Sequence, residues 1–290
     1  MLKRPASPED LPKSVPVFPL SGALLLPFSH RPLNIFEPRY LEMVDAALRG
    51  DRLIGLIQPE DTSEESPRGR SPLQTIGCLG RLTHFEESGE GRYFIILEGV
   101  SRFRLVQELT VMTPYRQGVI AAEEFATDFT RDFGEDAVDR DRFVKMMRDY
   151  AEFANIDLNW DEIERTGTAD LVNFCCMVGP YGPAEKQVLL EAQTLEQRAE
   201  TLIAMTEYEM ARGGSGTPLR MGKASRAATE MSSLRSADSV SRVLVSGQTS
   251  ISSVLTSNTW RGSAGGVGIS MPSARRLAKT RFPLFAPAFS

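Results

Sequence analysis

The chain has 290 residues, 41% of them apolar and 24% charged, with a formal net charge of −5. That composition supports a packed core in one large or two modest domains and argues against a dedicated nucleic-acid binder. Three cysteines (Cys78, Cys175, Cys176) and two histidines (His30, His84) exclude a disulfide framework and a histidine-rich metal centre, and suit a reducing cytoplasm.

Met1–Ser14 is charged and proline-containing, lacks the apolar run of a targeting segment, and reads as a flexible N-terminus. Val15–Phe28 is the longest apolar run, but Pro16, Pro19 and Pro27 interrupt it, and it is too short to span a bilayer. The residues predict strands at Val15–Leu20, Leu24–Phe28, Leu53–Gln58, Thr75–Phe85, Arg92–Val100, Arg102–Gln107 and Gln117–Ala122. Turn residues separate most of them, and Arg102–Val106 opens with the alternation of a half-buried antiparallel strand. Glu87–Gly91 reads as a hairpin connection and Glu60–Ser71 as a mobile loop. One helix interrupts the strands. Pro38 suits its first turn, Tyr40, Met43, Val44, Ala47 and Leu48 recur on one side, Arg39, Glu42, Asp45 and Arg49 lie on the other, and Gly50 ends it. Residues 15–125 therefore read as a β-rich barrel or folded sheet.

Residues 134–212 read as helical. Val138, Phe143, Val144, Met147, Tyr150 and Ala151 form one apolar stripe, and Leu171, Phe174, Cys175 and Val178 a second. A third helix follows Gly182-Pro183 with Val188 and Leu189 inward. Thr194-Leu-Glu-Gln197 has the spacing of a capping box, opening a helix with Leu195, Ala199, Leu202, Ile203, Thr206 and Met210 on one face. One-sided helices of this kind pack on each other and on the sheet.

The average charge hides a division. Residues 1–212 hold 23 Lys+Arg and 36 Asp+Glu, a net of −13, whereas residues 213–290 hold 10 and 2, a net of +8. The second stretch contains 16 serines and 9 glycines, a composition expected to be disordered. It reads either as a basic arm for RNA, lipid or an acidic partner, or as an unstructured extension of the kind a shifted reading frame would produce.

Signatures of catalysis are sparse. Gly216–Lys223 superficially resembles a phosphate loop, but five residues separate its glycines and Ala224 stands where Ser or Thr would hold magnesium. HExxH, CxxC and Gly-x-Ser-x-Gly patterns are missing. Adjacent residues on a helix point about 100° apart, so Cys175 and Cys176 read as structural thiols rather than a redox pair, and Cys78 within an apolar strand reads likewise. His84 precedes Glu86 and Glu87 but has no evident nucleophile and reads as a surface strand-end histidine, and the same holds for His30 beside a turn. Glu37 and Arg39, flanking Pro38, are either an exposed recognition pair or a helix-end charge pattern. No cofactor or metal site emerges.

Val15-Pro-Val-Phe-Pro-Leu20, Leu24-Leu-Leu-Pro27 and Pro32-Leu-Asn-Ile-Phe-Glu-Pro-Arg-Tyr40 with Met43-Val44 together resemble the signature of the Lon protease N-terminal domain, above all in its stand-alone bacterial form. Gly99-Val-Ser-Arg102-Phe-Arg104, Pro114-Tyr115, and Glu185–Glu191 followed by Arg198 are similar to later features of that family. The resemblance covers Val15 to Arg212. It implies an α+β fold: a PUA-like antiparallel β pseudo-barrel followed by a helical subdomain, with residues 213–290 unaccounted for. It also implies a cytoplasmic, non-catalytic module that recognises unfolded or apolar polypeptide segments, with a protease or chaperone as a partner. The residues after Arg212 supply neither a phosphate loop nor a serine–lysine dyad, so a motor and a protease are not expected. The candidate binding surfaces are the loop at Pro27 and Phe28 and the exposed side of the Pro38–Arg49 helix with Glu37, Arg39 and Glu42. The competing reading, a PUA-like RNA-binding protein, would need the basic tail, because the acidic body lacks clustered cations for phosphate.

Overall fold

The computed structural model describes residues 4–60, 71–88 and 91–213. The interior of the expected 60–71 loop, the Gly89-Glu90 hairpin tip and the basic tail with its phosphate-loop look-alike lie outside those residues. Six strands, β1 (Ser14–Pro19), β2 (His30–Ile35), β3 (Leu53–Ile57), β4 (Ile76–Ser88), β5 (Arg92–Glu108) and β6 (Arg116–Ala121), precede most of the helices; α1 (Pro38–Arg49) lies between β2 and β3. The helical part comprises α2 (Arg140–Ala154), α3 (Trp160–Arg165), α4 (Thr168–Val178), α5 (Pro183–Glu191) and α6 (Leu195–Gly213). The α+β expectation holds.

The sheet closes on itself. Its order is β2-β5-β4-β3-β1-β6, and β6 also pairs with β5. Five strands thus form a ring, and β2 extends it as a flap on the first half of β5. Both expected strands at Arg92–Val100 and Arg102–Gln107 belong to the single long β5, whose N-terminal part pairs with β2 and whose C-terminal part pairs with β6. One pairing departs from the antiparallel expectation: β1 and β3 run parallel, Val17 opposite Gly55 and Pro19 opposite Ile57. A parallel return needs a crossover, and β2 with α1 supplies it. All five residues of β3 are buried, so its continuous apolar run carried no alternation from which direction could be inferred.

Leu24–Phe28 is not a strand. Ala23–Leu26 are buried in an irregular inward fold, and the following residues form β2 instead. Gly99 permits this route, because a Cβ there would lie 2.0 Å from the Leu26 carbonyl oxygen. Around it the Phe28 N–H donates to the Gly99 carbonyl at 2.9 Å and the Gly99 N–H to the Ser29 carbonyl at 2.8 Å. Two residues thus oppose one, as in a β-bulge.

Two apolar clusters hold the fold. Val15, Val17, Leu53, Ile57, Leu79, Val100 and Phe103 fill the ring. A larger cluster joins Leu33, Ile35, Ile95 and Leu97 to Met43, Val44 and Ala47 of α1, and continues through Phe143, Leu171, Leu189 and Leu202. The barrel and the helices therefore share one core. Burial of each such side chain contributes about 1.5–3 kcal/mol relative to exposure.

The helix ends follow local rules. Asp139 caps α2 by accepting from the Arg142 N–H at 2.9 Å, Asn155 ends it at φ 52°, and Asn159 caps α3. Thr194 Oγ1 accepts from the Gln197 N–H at 3.0 Å, and Gln197 Oε1 returns to the Gln193 N–H at 2.8 Å, one residue earlier than a strict capping box. Two expected faces are corrected. In α5 Leu189 and Leu190 are buried, whereas Val188 is 51% exposed. In α4, Leu171, Val172, Cys176 and Met177 are buried, with Phe174, Cys175 and Val178 only half-buried, because this short helix is surrounded on most sides.

Buried polar bonds fasten helices to barrel. Arg102 of β5 pairs with Asp128 at 2.8 Å through both Nε and Nη2, and its Nη1 reaches the Leu190 and Ala192 carbonyls at the end of α5. Gln58 accepts from the Gly22 N–H and donates to Pro183 and Gln187, and Gln187 donates onward to the Ile76 carbonyl. Burial of unpaired polar groups would be costly, so this net both satisfies the groups and fixes the docking geometry.

Candidate functional site

The five residues proposed from sequence fall into two groups, and no hydrogen bond, ion pair or ring contact joins those groups among the described residues. Pro27 is buried and Phe28 half-buried, so the loop is not the open apolar surface its composition suggested. Phe28 adopts φ 62°, which turns its ring between two guanidinium groups: Arg4 lies 3.8 Å and Arg131 5.5 Å from the ring centre. The negative face of the ring attracts both cations. Arg4 also binds Glu98 at 2.8 Å, and Arg81 holds the other carboxylate oxygen at 2.9 Å. Burial would raise the Glu98 carboxyl, but the hydrogen bonds and charges of Arg81 and Arg4 outweigh it and hold that carboxyl below its ordinary range. The Phe28 corner is thus a clamped structural joint.

The second group is open. Glu37 stands at the N-cap of α1 without a side-chain cap and binds Arg39 at 2.7 Å. Arg39 lies over the Tyr40 ring at 4.6 Å, and Tyr40 packs against Phe18 at 4.4 Å. Glu42, one turn on, is exposed. Its negative charge lies near enough to Tyr115 to add to the burial that raises that phenol.

Near this helix end lie exposed aromatic residues, two of which pairing register brings together. Phe36, directly after β2, is 64% exposed, and Phe85 on β4 is 37% exposed. Phe85 meets Tyr93 edge-on at 4.9 Å, and Tyr93 pairs with Ile35, the residue before Phe36. Burial first, then the nearby Asp45 carboxylate of α1, raises the Tyr93 phenol. Phe85 and Tyr93 thus form a ring pair near Asp45 and Glu87, while Phe36 stands next to Glu37 with no ring contact to that pair among the described residues. In the sequence Phe36 stands between Ile35 and Glu37 with nothing to mark it as exposed, and Phe85 and Tyr93 needed the β4–β5 register.

Reactive chemistry is not organised here. His84 is half-buried within β4 rather than at a surface strand end; its ring lies edge-on to Phe94 at 5.8 Å and its Nε2 is 3.8 Å from Glu86. His30 is exposed at the start of β2. Burial pushes Cys175 and Cys176 up to about 12 and raises Cys78 still further, so these thiols stay protonated and unreactive at neutral pH. Among the described residues no group of three or more His, Cys, Asp or Glu is placed to hold a metal ion. No described helix is long and apolar enough to cross a membrane.

The profile of the family described as the ATP-dependent protease La (LON) substrate-binding domain matches residues 14–207. The chain belongs to the Lon substrate-binding domain family. A Lon protease from Parabacteroides distasonis is 30% identical over 204 residues, 69% of this chain and 24% of that protein. Lon protease 2 of Myxococcus xanthus is 31% identical over 119 residues, 41% of this chain and 14% of that protease. The chain therefore spans about a quarter or less of the length of these relatives, and the matched part is the substrate-binding region rather than a catalytic domain. The solved N-terminal domain of Mycobacterium avium complex Lon protease superposes with a TM-score of 0.51 at 16% identity, over 67% of this chain and 98% of that one, an agreement of fold. Within the Lon family frame, the barrel and helices described above are the matched unit, and Phe36 beside α1 is the most exposed aromatic side chain among the described residues.

Proposed function

We propose that the chain is a non-catalytic module that binds unfolded or apolar segments of polypeptides in the cytoplasm. The observation that carries this reading is the exposure of Phe36 and Phe85 at the end of the β2–β5–β4 flap, with Glu37 at the N-cap of α1 directly after Phe36. Solvent-facing aromatic side chains with charged residues nearby suit the capture of apolar polypeptide segments. Glu37, Arg39 and Glu42 supply those charges, while buried Pro27 and clamped Phe28 hold the scaffold rather than touch the guest. A partner protease or chaperone would receive the captured segment. Family membership supports the same reading, since the matched region is described by substrate binding.

The test is fluorescence anisotropy with labelled unfolded casein and with apolar peptides. Saturable binding in the micromolar range is expected, competed by unlabelled unfolded chains and not by folded proteins. Absence of saturation at high micromolar protein would refute the reading.

A further inference from the structure

We infer that the outer edge of β2 is a backbone-pairing site that takes an extended, apolar and basic polypeptide segment as an additional strand. This deepens the polypeptide-binding reading and rests on it. Among the described residues every other strand of the sheet has at least two neighbours somewhere along its length, whereas β2 pairs with β5 alone. The register defines which groups face out. The Gly99 N–H bonds the Ser29 carbonyl, and Ser29 immediately precedes the His30–Glu98 pair. Antiparallel bonding alternates, so Arg31, Leu33 and Ile35 exchange bonds with β5, and the backbone groups of His30, Pro32 and Asn34 point away from it. Pro32, which has no N–H, sits where none is needed by the ladder.

The outward row therefore offers the Pro32 carbonyl and the Asn34 N–H and carbonyl, and no backbone partner for them occurs among the described residues. Asn34 and Phe36 are exposed. Unused donors and acceptors at strand spacing are complementary to another extended backbone whatever its side chains. The side chains beside the edge add the preference. Pro32 and Phe94 lie on one face of this flap and Leu33, Ile35 and Tyr93 on the other, with Phe36 at its end. Apolar residues in the guest would be covered there.

Charge selects the occupant. Residues 1–212 carry a net of −13, which attracts a basic guest and repels a second copy of the same body. The other open stretch, Leu82–Ser88 of β4, carries Glu86 and Glu87, and charges on an edge oppose strand addition. β2 carries one charged residue, Arg31, against the two on that stretch, and it is not acidic.

The experiment uses the full chain and a twelve-residue peptide of alternating Phe or Leu with Lys, alongside the same peptide N-methylated at alternate backbone nitrogens. Wild type is expected to bind the plain peptide and to lose about tenfold in affinity for the methylated one, as the removal of one to two backbone hydrogen bonds implies. Asn34→Pro removes the outward donor and should also lose about tenfold, while Asn34→Ala keeps the N–H and should stay within twofold. Hydrogen exchange at the Asn34 amide is expected to slow when peptide is bound. Binding of unfolded casein and the plain peptide with no difference between the plain and methylated peptides would overturn the edge proposal while leaving polypeptide binding intact. Protection of the Asn34 amide without peptide, together with a concentration-dependent dimer, would overturn it in favour of pairing between copies. Failure of wild type to bind either casein or peptide would overturn both readings. The methylated-peptide comparison needs no variant and stands even if Asn34→Pro fails to fold.

Discussion

Replacing Asp128 by alanine should loosen the joint between barrel and helices more than any surface change. The Arg102 and Asp128 side chains are only 4% and 8% exposed. Asp128 accepts from Nε and Nη2 of Arg102 at 2.8 Å each and from the Arg102 backbone N–H at 2.9 Å. Without the carboxylate, a guanidinium stays out of water with the Leu190 and Ala192 carbonyls as its remaining acceptors. Breaking a buried pair from one side costs about 3–5 kcal/mol, a large part of a typical total of about 5–15 kcal/mol. For a body of this size each kcal/mol lowers Tm by about 2–4 °C, so a fall on the order of 10 °C is expected. The double substitution Arg102→Met with Asp128→Leu removes both charges and should recover most of the loss. Thermal and urea unfolding of wild type, the single variant and the double variant form the assay. A single variant within about 1 kcal/mol of wild type would refute the anchoring role, as would a double variant no more stable than the single.

Three further outcomes are expected. Gly99→Ala places a methyl group 2.0 Å from the Leu26 carbonyl oxygen, so the inward Leu24–Pro27 segment must move; a loss of about 3 kcal/mol, read from the urea midpoint, is expected, and a neutral result would show that segment to be loosely held. Phe36→Ala should change stability by less than about 0.5 kcal/mol because the ring is 64% exposed, yet weaken binding of unfolded chains severalfold, as anisotropy titration would show; unchanged binding would remove Phe36 from the site. Cys176 is raised from 9.0 to about 12 by burial, so in the unfolded chain it ionises first. Its contribution is complete below pH 9 and declines as pH rises from 9 toward about 12. Urea midpoints from pH 8 to 10.5 should fall more steeply for wild type than for Cys176→Ala, and parallel slopes would contradict the buried-thiol account.

Local chemistry was the most legible layer. Pro38 and Gly50 bracket α1 as their backbone preferences require, and the periodic apolar residues between them mark its buried side. Thr194 and Gln197 announce α6 in the same way. Long-range pairing was less legible. Leu24–Phe28 has strand composition, but its burial depends on Gly99, more than seventy positions away, and the strand His30–Ile35 was not expected; its Pro32 is tolerated there because it needs no ladder N–H. At the candidate site, Glu37 and Arg39 could be recognised as an adjacent charge pair. Phe85 and Tyr93 could not be joined to each other, because their ring contact is a property of β4–β5 register rather than of spacing.

The continuity of β5 has a mechanical consequence. One uninterrupted strand runs from the flap beside β2, past the Gly99 bulge, to the ion pair at Arg102 and on to the closure with β6. Tension applied along a guest lying beside β2 would load many cross-strand bonds in shear at once, whereas tension across it would peel them one by one. The same attachment would thus grip firmly against axial pulling and release readily to a sideways tug.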